Sequence, residues 1–311
     1  MTTAPAAQDK NNTDLKARAE DIARLIWDNQ TNDAIRAFQK IKSNDDRYAI
    51  LMDRDACVLH LAAGCNRVDA ITAMLDGLSA DRRLAAITVA DNEQEITPLH
   101  RASQNGPADA ITVMLDELSA DQRLAAITVL DMFGNTPLQW VAYNGPVNAI
   151  TAMLAGLNVA QCRDALFNLE YGVGTKLAQE YAKNPQHADA QRYLNTLIKG
   201  VAALETSDGT DEQGLSENDK KGLITGIIQE VEKINSDAEI PSAAVPYLDI
   251  PKTVGGYLQG LQGSFAQAVT ATTTGPANGN DHTSAVVGEE KPTVSTTPGA
   301  AGKAPAPGGQ S

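Results

Sequence analysis

Aromatic side chains are scarce in this chain, at 4% of its 311 residues, as expected where small residues let helices stack closely. Cysteine is scarcer: Cys57, Cys65 and Cys162 form an odd, scattered set that argues against a disulfide scaffold. Basic residues are outnumbered, 25 Lys and Arg against 39 Asp and Glu. The resulting net charge of −14 would repel a phosphate backbone and disfavours nucleic acid or an anionic membrane as the primary partner. No basic segment followed by an apolar run opens the chain, so a Sec-type signal is not expected. Chemistry-bearing motifs are missing too: there is no GxSxG elbow, HExxH pair or protein-kinase set. The four histidines, at 60, 100, 187 and 282, are too dispersed to suggest a hidden base. Gly172-Val173-Gly174-Thr175-Lys176 lacks the glycine–lysine order that cradles phosphate. Cys57, His60 and Cys65 supply only three local ligands, without the paired spacing of a zinc site. The expectation is a non-enzymatic chain with no catalytic residues, no cofactor and no metal.

What is present is a repeat. Residues 74–91 and 114–131 are identical at 15 of 18 positions, and registered blocks begin at Cys57, Thr97, Thr136 and Thr175, at spacings of 40, 39 and 39. A fainter unit runs from about Glu20 to Ala56, with Asp33-Ala34-Ile35 standing where Asp69-Ala70-Ile71 and Asp109-Ala110-Ile111 stand later. Repetition at a fixed period predicts stacked units that cannot fold singly, with atypical units at the ends.

Each unit reads as three short helices. Thr97-Pro98 and Thr136-Pro137 place a capping hydroxyl before a proline tolerated in the first turn, and Asn-Gly followed by Pro107 or Pro146 stops the helix. A second helix, about Ala108 to Leu118, carries Ile111, Met114, Leu115 and Leu118 on one stripe. A third starts at Ser119, which forms a capping-box pattern with Gln122, and directs Leu124 and Ile127 inward. Asp131 to Asn135 reads as a turn into the next unit.

The residues Asp131-x-x-Gly134-x-Thr136-Pro137-Leu138 and His60-Leu61-Ala62-Ala63 resemble the ankyrin repeat signature. The likeness covers 57–197 directly and 20–197 by extension. It implies an all-α ankyrin-type solenoid of four to five units, with inner helices lining a concave face, and a role in protein–protein recognition. It also implies that His60 and His100 bind the turn backbone. Departures are the long period against about 33 residues, Gln139 in place of histidine, Arg101 and Trp140 where leucine is usual, and an extra residue in 91–96. The surplus is expected in the Ser-Ala-Asp segment, as an extended third helix. Long repeats with this segment also resemble ankyrin proteins of bacteria that live inside eukaryotic cells.

The resemblance places recognition at Asn92, Glu93, Ile96, Gln104 and Asn105 in one unit, and at Met132, Phe133, Asn135, Tyr143 and Asn144 in the next, with Trp140 either joining them or filling the gap between units. The partner is a protein, in the cytoplasm, with export into a host cell as the alternative. The domain reading is a disordered N-terminus (1–13), a degenerate capping unit (14–56), the array (57–200), a linker (201–215), a helical segment (216–271) and a disordered tail (272–311). Within 216–271, Val254 to Ala271 carries no charge, but Gln259, Gln262, Ser264 and Gln267 would each need a partner in hydrocarbon, which disfavours membrane insertion. A membrane-associated adaptor tethered by this stretch is the remaining alternative.

Overall fold

The structure, a computed structural model, describes residues 5–105, 108–206, 215–248, 253–257, 259 and 261, apart from the side chains of 5–11 and 105. The tail at 272–311, most of the linker and most of the Val254–Ala271 stretch lie outside the described residues. Among those described, the regular elements are helical, with two isolated β-bridges, Thr206–Leu215 and Glu239–Thr253. The chain is all-α.

Fifteen α-helices among the described residues fall into five groups of three. Those that open a group are α1 (Pro5–Trp27), α4 (Val58–Gly64), α7 (Pro98–Asn105), α10 (Pro137–Asn144) and α13 (Val173–Lys183). The second helices are α2 (Thr31–Gln39), α5 (Val68–Leu75), α8 (Ala108–Leu115), α11 (Val147–Leu154) and α14 (Ala188–Ala202). The third are α3 (Asn44–Leu51), α6 (Ala80–Thr88), α9 (Ala120–Ile127), α12 (Val159–Phe167) and α15 (Glu217–Glu232). Each helix packs on its counterpart in the next group, so three rows of helices run along a stack. α1 begins inside the segment read as an unstructured terminus. α15, read as a separate segment beyond a linker, packs on α12, α13 and α14 as the third helix of the last group.

Local chemistry explains the boundaries. Every third helix opens on a side chain that accepts from the backbone amide of its third residue: Ser43 from Asp46, Ser79 from Arg82, Ser119 from Gln122, Asn158 from Gln161 and Ser216 from Asp219. Second helices carry Asp33, Asp69, Asp109 and Asp189 in the first turn, where a carboxylate complements the helix dipole. An alanine follows in the same register, Ala34, Ala70, Ala110, Ala149 and Ala190, each buried where second helices meet. The predicted stripe Ile111, Met114, Leu115 and Leu118 is buried; in α9 Ile127 is buried and Leu124 half-buried.

Beyond α15 the chain folds back over the last group. The Tyr181 hydroxyl donates to the Glu239 carbonyl, the Asn235 amide to the Ala182 carbonyl, and the Ala243 N–H to Asn195 Oδ1. Ala238, Ala244, Leu248, Val254 and Tyr257 are buried there.

Row packing is tightest at Gly200 of α14, where an added Cβ would overlap the Ile150 side chain of α11. Gly200→Ala is therefore expected to destabilise by about 1–3 kcal/mol through overpacking, read as a lower urea midpoint. An unchanged midpoint would mean that α11 and α14 are not in the contact described.

Candidate partner-docking site

The turns between groups are organised by one polar side chain apiece. Asp131 Oδ1 accepts from the amides of Phe133 and Asn135 at 2.9 and 2.8 Å, and its backbone N–H donates to the Asn135 carbonyl. Asp91 does the same with Gln94 and Ile96; Asp53 Oδ1 accepts from the amides of Asp55 and Ala56, and Asn168 Oδ1 from that of Glu170. Gly134 supplies a φ of +74° in the third turn; in the second turn the additional residue is absorbed by Glu95 at φ +54°. The Met132 N–H donates to the Gln94 carbonyl, joining consecutive tips. Burial opposes ionisation of Asp91, but the Gln94 and Ile96 amides and the Arg101 guanidinium outweigh it and hold the carboxyl below its ordinary range.

Three of the five opening helices, α4, α7 and α10, then reach the following turn. His60 Nε2 donates to the Ile96 carbonyl and His100 Nε2 to that of Asn135, both at 3.1 Å, and Gln139 Nε2 to that of Tyr171 at 3.3 Å. A carbonyl only accepts, so each imidazole is assigned its proton on Nε2. His100 Nδ1 in turn accepts from the Thr97 amide while Thr97 Oγ1 accepts from the His100 amide, a reciprocal cap like that of Thr136 and Gln139. Cys57, at φ +50°, offers His60 no equivalent, and His60 Nδ1 has no hydrogen-bond partner. Burial pushes the His60 pKa down to about 4 and also lowers that of His100.

These bonds line the turns up, and the face they form can be read residue by residue. Met132 and Phe133 stand 54% and 64% exposed on one tip, with Asn92 and Glu93 exposed on the tip before it and Asn144 exposed at the end of α10. Gln104 is half-buried; the Asn105 side chain lies outside the described residues. Ile96 is a correction: it is 1% exposed and offers no surface, because the residue before the threonine is where the turn backbone is gripped, by Asp91 at its N–H and His60 at its carbonyl. Asn135 occupies the same position, half-buried, with its carbonyl engaged by His100. Trp140 is drawn inward: its Nε1 donates to Asp131 Oδ2 at 3.0 Å and its ring meets His100 edge-on, as Arg101 meets Asp91 one group earlier. Tyr143 donates to Glu180 and packs edge-on against Tyr193, and burial raises its pKa.

Two exposed residues on this face escaped the sequence reading. Leu169, 99% exposed, follows Asn168 as Met132 follows Asp131, so extending that column one unit further would have found it. Trp27, 70% exposed, ends α1 as Gln104 and Tyr143 stand near the ends of α7 and α10. It borders a groove of about 550 Å³ whose floor includes Leu61, Gly64 and Cys65 and whose rim includes Asp55, Asn92 and Glu93.

Burial, then the Asp91 carboxylate, pushes the Cys57 thiol up to about 11, the reverse of nucleophile activation. Among the described residues no group of three or more His, Cys, Asp or Glu is arranged to hold a metal ion, and no helix is long and apolar enough to cross a membrane. Comparison with family models, with curated proteins and with solved structures found no match to this chain.

His60 gives a pH test. The unfolded chain takes up a proton below the ordinary value of 6.5, whereas the folded chain resists until about 4. Stability from this group is complete above pH 6.5 and falls as pH drops towards 4, by at most about 3 kcal/mol. His60→Gln, the side chain already used at Gln139, removes the titration, so urea midpoints measured between pH 7 and 4 should decline less steeply in the variant. Equal slopes would show that His60 is not the buried neutral group described.

Proposed function

We propose that this chain is a non-enzymatic protein-interaction module of ankyrin type, a solenoid that docks a partner protein across its turn tips and the adjoining ends of its opening helices. The observation that carries this reading is the exposure of Met132, Phe133 and Leu169 on consecutive turns whose backbones are held by polar side chains, the buried Asp131 and the half-buried Asn168. Leaving such groups in water forgoes about 1.5–3 kcal/mol each relative to burial, and apolar patches of this kind on well-ordered backbone mark interaction sites. Rigid turns add to this, since little conformational freedom is lost when they dock.

The ankyrin assignment is supported by the Asp turn, the Thr-Pro cap and the His or Gln bond to the following turn. Against an ordinary unit of that family, each repeat carries one more helix, the row α3, α6, α9, α12 and α15. That row packs along itself and against the opening helices. The compartment proposed is the cytoplasm.

The variant that tests this is Met132→Ser, Phe133→Ser, Leu169→Ser. All three side chains are exposed, so each substitution should leave stability within about 0.5 kcal/mol. Tyr143 is spared because it packs against Tyr193. Affinity capture from the cells that make the protein is expected to recover a specific partner with the native chain and to lose it with the folded variant. Recovery of the same partner by both would overturn the site.

A further inference from the structure

We propose that the groove between Trp27 and Glu93 accepts one lysine or arginine side chain from an extended segment of the partner, an inference that rests on the docking reading and adds the chemistry of one anchor. The groove exists because of a local reduction in side-chain size. With His60, His100 and Gln139 in register, Gly64 stands where Gln104 and Tyr143 stand in the following groups, and Leu61 where Arg101 and Trp140 stand. The later groups fill this space with their own side chains. The first of the three leaves about 550 Å³ open.

Its walls divide by polarity. Trp27, Leu61 and Cys65 are apolar and match a methylene stem, and the exposed indole of Trp27 presents a face to a cation, a contact of about 0.5–2 kcal/mol depending on how far it is desolvated. Asp55 and Glu93 stand exposed at the rim. Of the two guanidiniums of the groove, Arg101 is paired with the Asp91 carboxylate, and the exposed Arg54 directs its N–H groups away to the carbonyls of Ala90 and Asp91. Asp55 is shared with Lys16 and Asn92, while Glu93 has no ion-pair partner among the described residues. Glu20 and Asp53 lie in the depression that adjoins through Asp55. An anionic side chain would therefore meet guanidiniums whose N–H groups already have acceptors and the unpaired Glu93 carboxylate, whereas a cationic one meets an aromatic face and a carboxylate awaiting a partner. The chain's net charge of −14 favours approach of a basic segment from a distance.

The test is selection of random twelve-residue peptides on the full chain, followed by titration of the synthesised consensus peptide. Gly64→Gln installs the residue that the next group carries; its Cβ would come no closer than 3.8 Å to a neighbour, so the chain should fold while the groove is filled. Expected is a consensus with Lys or Arg at one fixed position, binding lost in Gly64→Gln, and affinity lowered about tenfold in Trp27→Ala and in the exposed Glu93→Gln. A consensus that is acidic or purely apolar, or one that binds Gly64→Gln unchanged, overturns the proposal. If that binding is instead lost in the Met132, Phe133, Leu169 variant, the groove assignment falls and the docking face stands. Failure to enrich any peptide also overturns the groove assignment, since a single-anchor groove of this size should select one.

Discussion

One buried side chain in each of the three central units, reaching from the first turn of an opening helix to a carbonyl in the following turn, holds the stack in register. His60, His100 and Gln139 do this across 36, 35 and 32 residues of sequence. Imidazole and carboxamide solve the same problem, because each places an N–H at the end of a short stem while its other polar atom can complete the cap of its own helix. The arrangement couples two needs of a buried backbone: the orphan amides of a helix start and the carbonyls of a turn both require partners. A turn gripped in this way on one side and by an aspartate on the other has little freedom, which is why apolar side chains on its tip present a fixed surface.

A second line of bonds runs along the third helices and accounts for the long repeat. The third residue of each helix reaches the second residue of the helix before it: Arg82 to Asp45, Gln122 to Asp81 and Gln161 to Asp121, at 2.7, 2.9 and 2.7 Å. The next position along holds Arg47, Arg83 and Arg123, which donate to carbonyls at the ends of second helices: Gln39 and Ile41, Val113, and Ala155. In Ser-Ala-Asp-x-Arg, then, serine caps, aspartate accepts, x donates and arginine ties rows together. The line stops where its chemistry stops. α12 has Ala160 in place of the accepting aspartate, and α15 has Asp219 in place of the donor, so the last third helix joins by apolar packing.

How much of this could be read in advance follows from where the information sits. Near-identity of 74–91 and 114–131 carried the repeat, and cap and turn residues carried the helix boundaries to within a residue at Pro98, Pro137 and Ala120. Burial at Ile96 was hidden because a position variable in type can be constant in backbone role: the turn holds it by its amide and carbonyl. Tyr143 could not be placed because its partners, Glu180 and Tyr193, belong to a unit whose sequence has drifted. α15 fell outside the repeat for a physical reason as well, since the chain between Ala203 and Ser216 lengthens the connection without changing where the helix must pack. Trp27 was missed because the first group keeps its register chiefly in the second helix, at Asp33-Ala34-Ile35.

The turn tips are proposed as the working surface of this molecule. This is tested most directly by placing a photo-crosslinking amino acid at position 133, on a tip, and separately at Asp116, exposed at the end of α8, in the cells that make the protein. A discrete protein adduct is expected from position 133 and none from position 116. An adduct from position 116 alone, or from neither, would contradict the proposal.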